Sequence, residues 1–117
     1  MTKVFLTDRA LRDLNSIEAY STVHWGDETA QKYLAKFELA LELIQANPNI
    51  LQSREEYSDL LLFYRVAKHW LIASNIEGNV YVLAVRHGAV DILSRLDKLE
   101  PKLWLEAELL HGKVSPR

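Results

Sequence analysis

The side chains of this 117-residue chain that could do chemistry fall along its second half: Tyr64, Arg65, Lys68 and His69, then Arg86, His87 and Asp91. Arginine and lysine could grip phosphates, and a histidine or tyrosine could move a proton during RNA cleavage while the cations stabilise a pentavalent phosphorane. The competing reading is structural: Arg86 and His87 close a strand, and Asp91 caps a short helix from Leu93 to Leu96. The basic residues are diluted and no acid is paired with a base, so no catalytic residue is assigned. The other histidines, His24 and His111, stand apart, and none of the four has a ligand-spaced neighbour such as the second histidine of His-Glu-x-x-His. No metal is expected. Four glycines leave no phosphate-cradling loop, and serine elbows and dinucleotide fingerprints are missing, so no cofactor is expected. Trp25 reads as an anchor of a turn, and Trp70 as core or partner surface.

The bulk numbers fit one globular domain. The chain is 49% hydrophobic and 26% charged, far from the profile of disordered sequences. The absence of cysteine excludes disulfides and thiolate metal sites and agrees with a reducing cytoplasm. The N-terminal apolar run is too short for a signal peptide, and no segment is apolar for long enough to span a bilayer. Net charge is −2, so the whole molecule has no basic field to hold nucleic acid, and strong direct binding to it is not expected. The halves differ: six Lys+Arg stand against ten Asp+Glu up to Leu60, and eight against six afterwards. An anionic partner would go to the second half.

The elements that must position these residues follow from periodicity. Val4 to Thr7 reads as a strand. Asp8 is placed as an N-cap, followed by Leu11, Leu14, Ile17 and Tyr20 at helical spacing to about Val23, with Arg12, Asp13 and Glu18 outward. Trp25-Gly26-Asp27 breaks the helix, with Gly26 at a left-handed position and Asp27 capping the next. Ala30, Tyr33, Leu34, Phe37, Leu41 and Ile44 form a second stripe that ends at Asn47-Pro48-Asn49. After a polar stretch, Gln52 to Asp59, three runs read as an antiparallel meander: Leu60 to Val66, His69 to Ser74 and Val80 to Val85. In the last, Val80, Val82 and Ala84 should face one way, and Tyr81, Leu83 and Val85 the other. Both faces are apolar and each needs a cover. The hairpin supplies one. A helix from Glu100-Pro101, with Leu99, Leu103, Ala107 and Leu110 on one stripe, Trp104 beside it and Gly112 as its stop, could supply the second. Leu105 and Leu109 lie off that stripe, which leaves either a wide core face or a surface for a partner or dimer mate.

The expected fold class is thus α+β, an N-terminal strand and two-helix hairpin packed on a small antiparallel sheet, β-α-α-β-β-β, with an extra C-terminal helix. This order of parts resembles the ParE branch of the RelE/ParE toxin superfamily. The resemblance is carried by Asp13-Leu14-x-x-Ile17-x-x-Tyr20, Trp25-Gly26, Ala30-x-x-Tyr33, Phe37, Asn47-Pro48, Lys68-His69-Trp70-Leu71-Ile72, and Val82-Leu83-Ala84-Val85-Arg86-His87-Gly88-Ala89-x-Asp91. It covers Val4 to Leu96 and implies a toxin domain over residues 1–97, with residues 98–117 a helical extension of the same domain.

The resemblance implies a bacterial type II toxin-antitoxin module, a ParD-like antitoxin as partner, and action on DNA gyrase by binding rather than catalysis. RelE-like relatives instead cut mRNA at the ribosome. The chain lacks a C-terminal tyrosine and a dense Lys/Arg set, which favours the non-nuclease branch. A divergent, non-toxic partner-binding module or homodimer is the third reading. The surface residues implied for partner or target are Arg65, Lys68, His69, Trp70, Arg86, His87, Asp91 and Trp104. Departures are Ile72-Ala73-Ser74-Asn75, where the family continues into an aromatic-Tyr-Arg sequence, and Leu62, where an arginine is common and for which Arg65 could substitute.

Overall fold

The computed structural model describes residues 2–54, 58–88 and 92–114, with residues 54, 58–60 and 92–98 described by their backbone alone. The chain runs β1 (Val4–Leu6), α1 (Asp8–Trp25), α2 (Asp27–Ala46), a 3-10 turn (Pro48–Ile50), β2 (Gln52–Arg54), β3 (Ser58–Val66), β4 (His69–Ile76), β5 (Asn79–His87) and α3 (Ile92–Val114). The strands form one five-stranded sheet in the order β1-β5-β4-β3-β2. β3, β4 and β5 make the expected antiparallel meander, but the sheet is mixed because β1 lies parallel to β5. β2, inside the stretch read as a polar connection, adds an antiparallel edge strand. Three polar residues at an edge carry no apolar alternation, so no period marks them.

Each face of the sheet has its own core. On one, α1 and α2 bring Ala10, Leu14, Ile17, Phe37, Ala40 and Ile44 against Leu71, Ala73, Val80, Val82 and Val85. On the other, Leu103 and Ala107 of α3 meet Leu61, Phe63, Ile72, Tyr81, Leu83 and Ala84, flanked by Leu99 and Leu110. The α1 stripe is displaced from the expected one: Ala10, Leu14, Ile17 and Ser21 face inward, while Leu11 and Tyr20 are 44% and 55% exposed. Small Ala10 and Ser21 are buried where Leu11 and Tyr20 are turned aside.

The faces of β5 also differ from simple alternation, because Ala84 joins Leu83 on the α3 side and Val85 turns to the hairpin side. The cause is a bulge. Ile72 lies opposite Ala84 and Ala73 opposite Val82, so Leu83 is an extra residue that flips everything after it. Where β1 ends, Thr7 and Asp13 of α1 take over the free edge of β5. Thr7 donates its N–H to Val82 O (3.1 Å) and its hydroxyl to Leu83 O (3.1 Å), and the Asp13 carboxylate accepts from Val85 N–H (2.9 Å). Asp13, expected outward, is therefore turned to the sheet edge.

The helix ends show two further differences. Thr7, not Asp8, caps α1, its Oγ1 accepting from Ala10 N–H at 3.2 Å, because the cap must precede the first helical residue. Gly26 (φ 89°, ψ 165°) closes α1 and opens α2 in a region that only glycine visits readily, so Asp27 falls in the first turn of α2 rather than at its cap. α3 is one helix through Pro101, where two segments were expected, and it continues past Gly112 to Val114. A proline inside a helix forfeits one backbone hydrogen bond. Burial of Leu103, Ala107, Leu99 and Leu110 along one face offsets that loss.

Candidate functional site at the β3–β4 end of the sheet

Register sorts the sequence-predicted residues into two rows. Arg65, Trp70 and Arg86 lie directly opposite one another across β3, β4 and β5. Val66, His69 and His87 form the next row, and side chains alternate between the faces, so the two rows point opposite ways. Trp70 packs with the α3-side core and Val66 with the hairpin-side core. The cluster that looks continuous in sequence is split by the sheet.

The hairpin-side row is a pin. Tyr33 of α2 reaches His69, with 2.6 Å from its hydroxyl to Nδ1, and the rings of Phe37 and His87 meet His69 edge-on at 5.8 and 5.0 Å. Burial first, then electrostatic repulsion from His87 and Arg65, lowers the His69 pKa to about 4. Burial raises that of Tyr33, opposed by a backbone hydrogen bond from Lys68 and by Arg65. Both groups are uncharged at neutral pH. The Tyr33 hydroxyl then donates to Nδ1, accepts from the Lys68 backbone, and places the imidazole proton on Nε2. A His–Tyr couple locked in this way is poorly suited to proton transfer.

The other row presents a cation on an aromatic ring. The Arg65 guanidinium lies 5.0 Å from the Trp70 ring centre, and its Nε donates to Ala67 O at 2.7 Å. It rests on Gly88: a Cβ there would fall 2.7 Å from Nη1. Gly88 N–H donates to Lys68 O at 2.7 Å, which fixes the chain leaving β5 against the β3–β4 turn. In that turn Ala67 holds a positive φ of 52°, a conformation costly for a residue with a Cβ. Lys36 adds a cation over the Tyr33 ring, 5.5 Å from its centre.

Arg86 is drawn towards α1. Its Nε is buried without a hydrogen bond and lies 4.0 Å from Asp13 Oδ2, too far for one. Lys68 is exposed in the turn, and Trp104 is half-buried on α3 beside Leu103. Asp91, expected as a cap and surface residue, lies outside the described residues. Tyr33, Lys36 and Asp13 belong to this end of the molecule but were not picked out as part of it. Tyr33 and Phe37 had a signal, their position on the α2 stripe, yet only the fold shows which strand meets that stripe. At the opposite end His111 is equally engaged, with Nδ1 2.5 Å from the Tyr81 hydroxyl and Nε2 3.1 Å from the Glu77 carboxylate. Among the described residues no group of three or more His, Asp or Glu side chains is placed to hold a metal.

A strand and helical hairpin on one side of this sheet is a fold shared with solved toxin-antitoxin structures. The chromosomal ParDE system of P. aeruginosa matches with a TM-score of 0.66 at 17% identity, over 74% of this chain and 96% of that one. The toxin-antitoxin complex RelBE2 of Mycobacterium tuberculosis matches with a TM-score of 0.53 at 18% identity, over 73% and 95%. These likenesses define the fold class, a small α+β protein with a helical hairpin on a mixed sheet. The family model described as ParE toxin of type II toxin-antitoxin system, parDE, matches residues 4–92, and the chain belongs to that family. Toxin ParE of Escherichia coli is 28% identical over 102 residues, 86% of this chain and 99% of that protein.

Proposed function

We propose that this member of the ParE toxin family acts by binding DNA gyrase, is neutralised by a ParD-like antitoxin, and performs no catalysis of its own. The observation that carries the reading is the Tyr33–His69 pin. The His–Tyr couple best placed for proton transfer is uncharged, mutually bonded and packed under α2. Beside it stands an ordered contact surface, with Arg65 held on Trp70 by Ala67 and Gly88. Arg and Trp are the residue types that carry binding energy at protein interfaces. Lys68 and Arg86 border this surface, His87 lies in the row on the opposite face, and Asp91 and Trp104 are further expected contributors. The similar structures are those of toxin-antitoxin systems, which supports an antitoxin for this chain. The site of action is the cytoplasm, where gyrase works.

Residues 1–97 form the toxin domain and residues 98–117 its extension. Packing of Leu103 and Ala107 on the sheet supports treating both as one folding unit. The test is expression in bacteria alone and with the adjacent small gene. Growth arrest, with DNA-damage signalling, is expected in the first case and rescue in the second. Unimpaired growth in both would overturn the reading, and arrest with cleaved transcripts but no damage signal would replace it with the ribonuclease one.

A further inference from the structure

The far end of the helical hairpin takes no part in either core. α1 contributes Ala10, Leu14 and Ile17 to the hairpin-side core, and α2 contributes Tyr33, Leu34, Phe37, Ala40, Leu41 and Ile44. Between Ile17 and Tyr33 the helices pack on one another, with Ser21 and Ala30 buried. The eight residues of α1 beyond Ile17 carry it a further ~12 Å.

That projecting end is aromatic and exposed. Tyr20 and Trp25 are each 55% exposed and Val23 is 81% exposed. The rings are ordered by their mutual contacts. Tyr20 stacks on His24 at 3.9 Å and meets Trp25 edge-on at 5.7 Å, while His24 Nδ1–H donates to Tyr20 O at 2.9 Å. A surface ordered in advance loses little side-chain freedom on binding, and Trp and Tyr are the commonest interface anchors.

Charge selects the occupant. Residues 18–32 carry three carboxylates, Glu18, Asp27 and Glu28, against one lysine, Lys32. Lys32 lies 3.4 Å from Glu28, and among the described residues Glu18 and Asp27 have no ion pair. Exposed aromatic faces rimmed by unneutralised carboxylates attract cations twice, through the ring quadrupole and through charge. We infer that the hairpin tip docks an arginine- or lysine-bearing segment of a partner protein. The surface is distinct from the Arg65–Trp70 row, whose charge has the opposite sign, and the inference does not rest on gyrase or an antitoxin as partner.

The test uses the full chain labelled with nitrogen-15 and follows its three tryptophan indole signals, with Trp25 assigned through Trp25→Phe. The probes are an arginine-glycine repeat peptide and a glutamate-glycine peptide of the same length. The arginine peptide is expected to shift the Trp25 signal saturably and to leave Trp70 and Trp104 in place, with affinity falling as salt rises. Read from the backbone amide signals of residues 18–32, which every variant keeps, Trp25→Ala should weaken binding about threefold to tenfold. Asp27→Asn should also weaken it, whereas Trp25→Phe, which keeps a π-face, should retain most of it. A still Trp25 signal, an equal response to the glutamate peptide, or unchanged affinity in Trp25→Ala would each overturn the inference. Movement of the Trp25 signal with protein concentration alone would make a second copy the occupant and overturn it as well.

Discussion

Gly88 explains one part of the His87-Gly88 sequence. Its missing side chain leaves the space in which the Arg65 guanidinium lies, 5.0 Å from the Trp70 ring centre. An alanine there meets the far end of a flexible side chain, so Arg65 can swing away at little cost to the fold. Gly88→Ala is therefore expected to change stability by under about 1 kcal/mol, since no cavity or buried charge is created. It should weaken target binding to the extent that Arg65→Ala does. Denaturant melts beside calorimetric titration would check both parts. His69 makes a pH-dependent prediction. In the unfolded chain it titrates near 6.5 and in the folded one at about 4, so between those values the unfolded chain holds a proton that the folded chain refuses. The stability contributed by neutral His69 is whole above pH 6.5 and is lost as pH falls towards 4. Discounted for partial exposure, the loss should be about 1–2 kcal/mol in urea melts. His69→Gln, which can still accept from the Tyr33 hydroxyl, should flatten that part of the profile.

At the scale of elements, α3 divides its leucines between two tasks. Leu103 is fully buried on the sheet, whereas Leu109 is 60% exposed. Leu103→Ala should cost about 2–4 kcal/mol through a lost side chain and a residual cavity, while Leu109→Ala should stay within about 0.5 kcal/mol. Equal effects in thermal melts would mean that α3 does not lie on the sheet as described. The second face that α3 covers was readable from β5, where Val80 to Val85 is apolar on both sides, and so was the need for a cover. Its continuity through Pro101 was not, because the local preference of proline opposes it and only tertiary packing overrides that preference. The Leu83 bulge was equally hidden. A two-residue period has no mark for an extra residue, and Ala84 and Val85 consequently fell on the wrong faces. β2 stayed hidden because Gln52, Ser53 and Arg54 are polar and carry no apolar alternation. The Arg65, Lys68, His69 and Trp70 group was legible as a group, since it spans one tight turn. Its division between two faces depends on strand register, and the pin depends on Tyr33, 36 residues from His69.

For the whole molecule, the sheet separates two surfaces of opposite character, a cationic row at the β3–β4 end and an acidic aromatic tip on the hairpin. Each can bind without the other, and neither brings together a free acid and base among the described residues. The chain belongs to the ParE toxin family, and we propose that it acts through contact with its target. The most direct test is a DNA supercoiling assay with purified gyrase, run with wild-type protein and with Arg65→Ala, beside a ribosome-dependent mRNA cleavage assay. Inhibition of supercoiling by the wild type, relief in Arg65→Ala and intact mRNA throughout are expected. Undisturbed supercoiling together with cleaved mRNA would contradict the proposal.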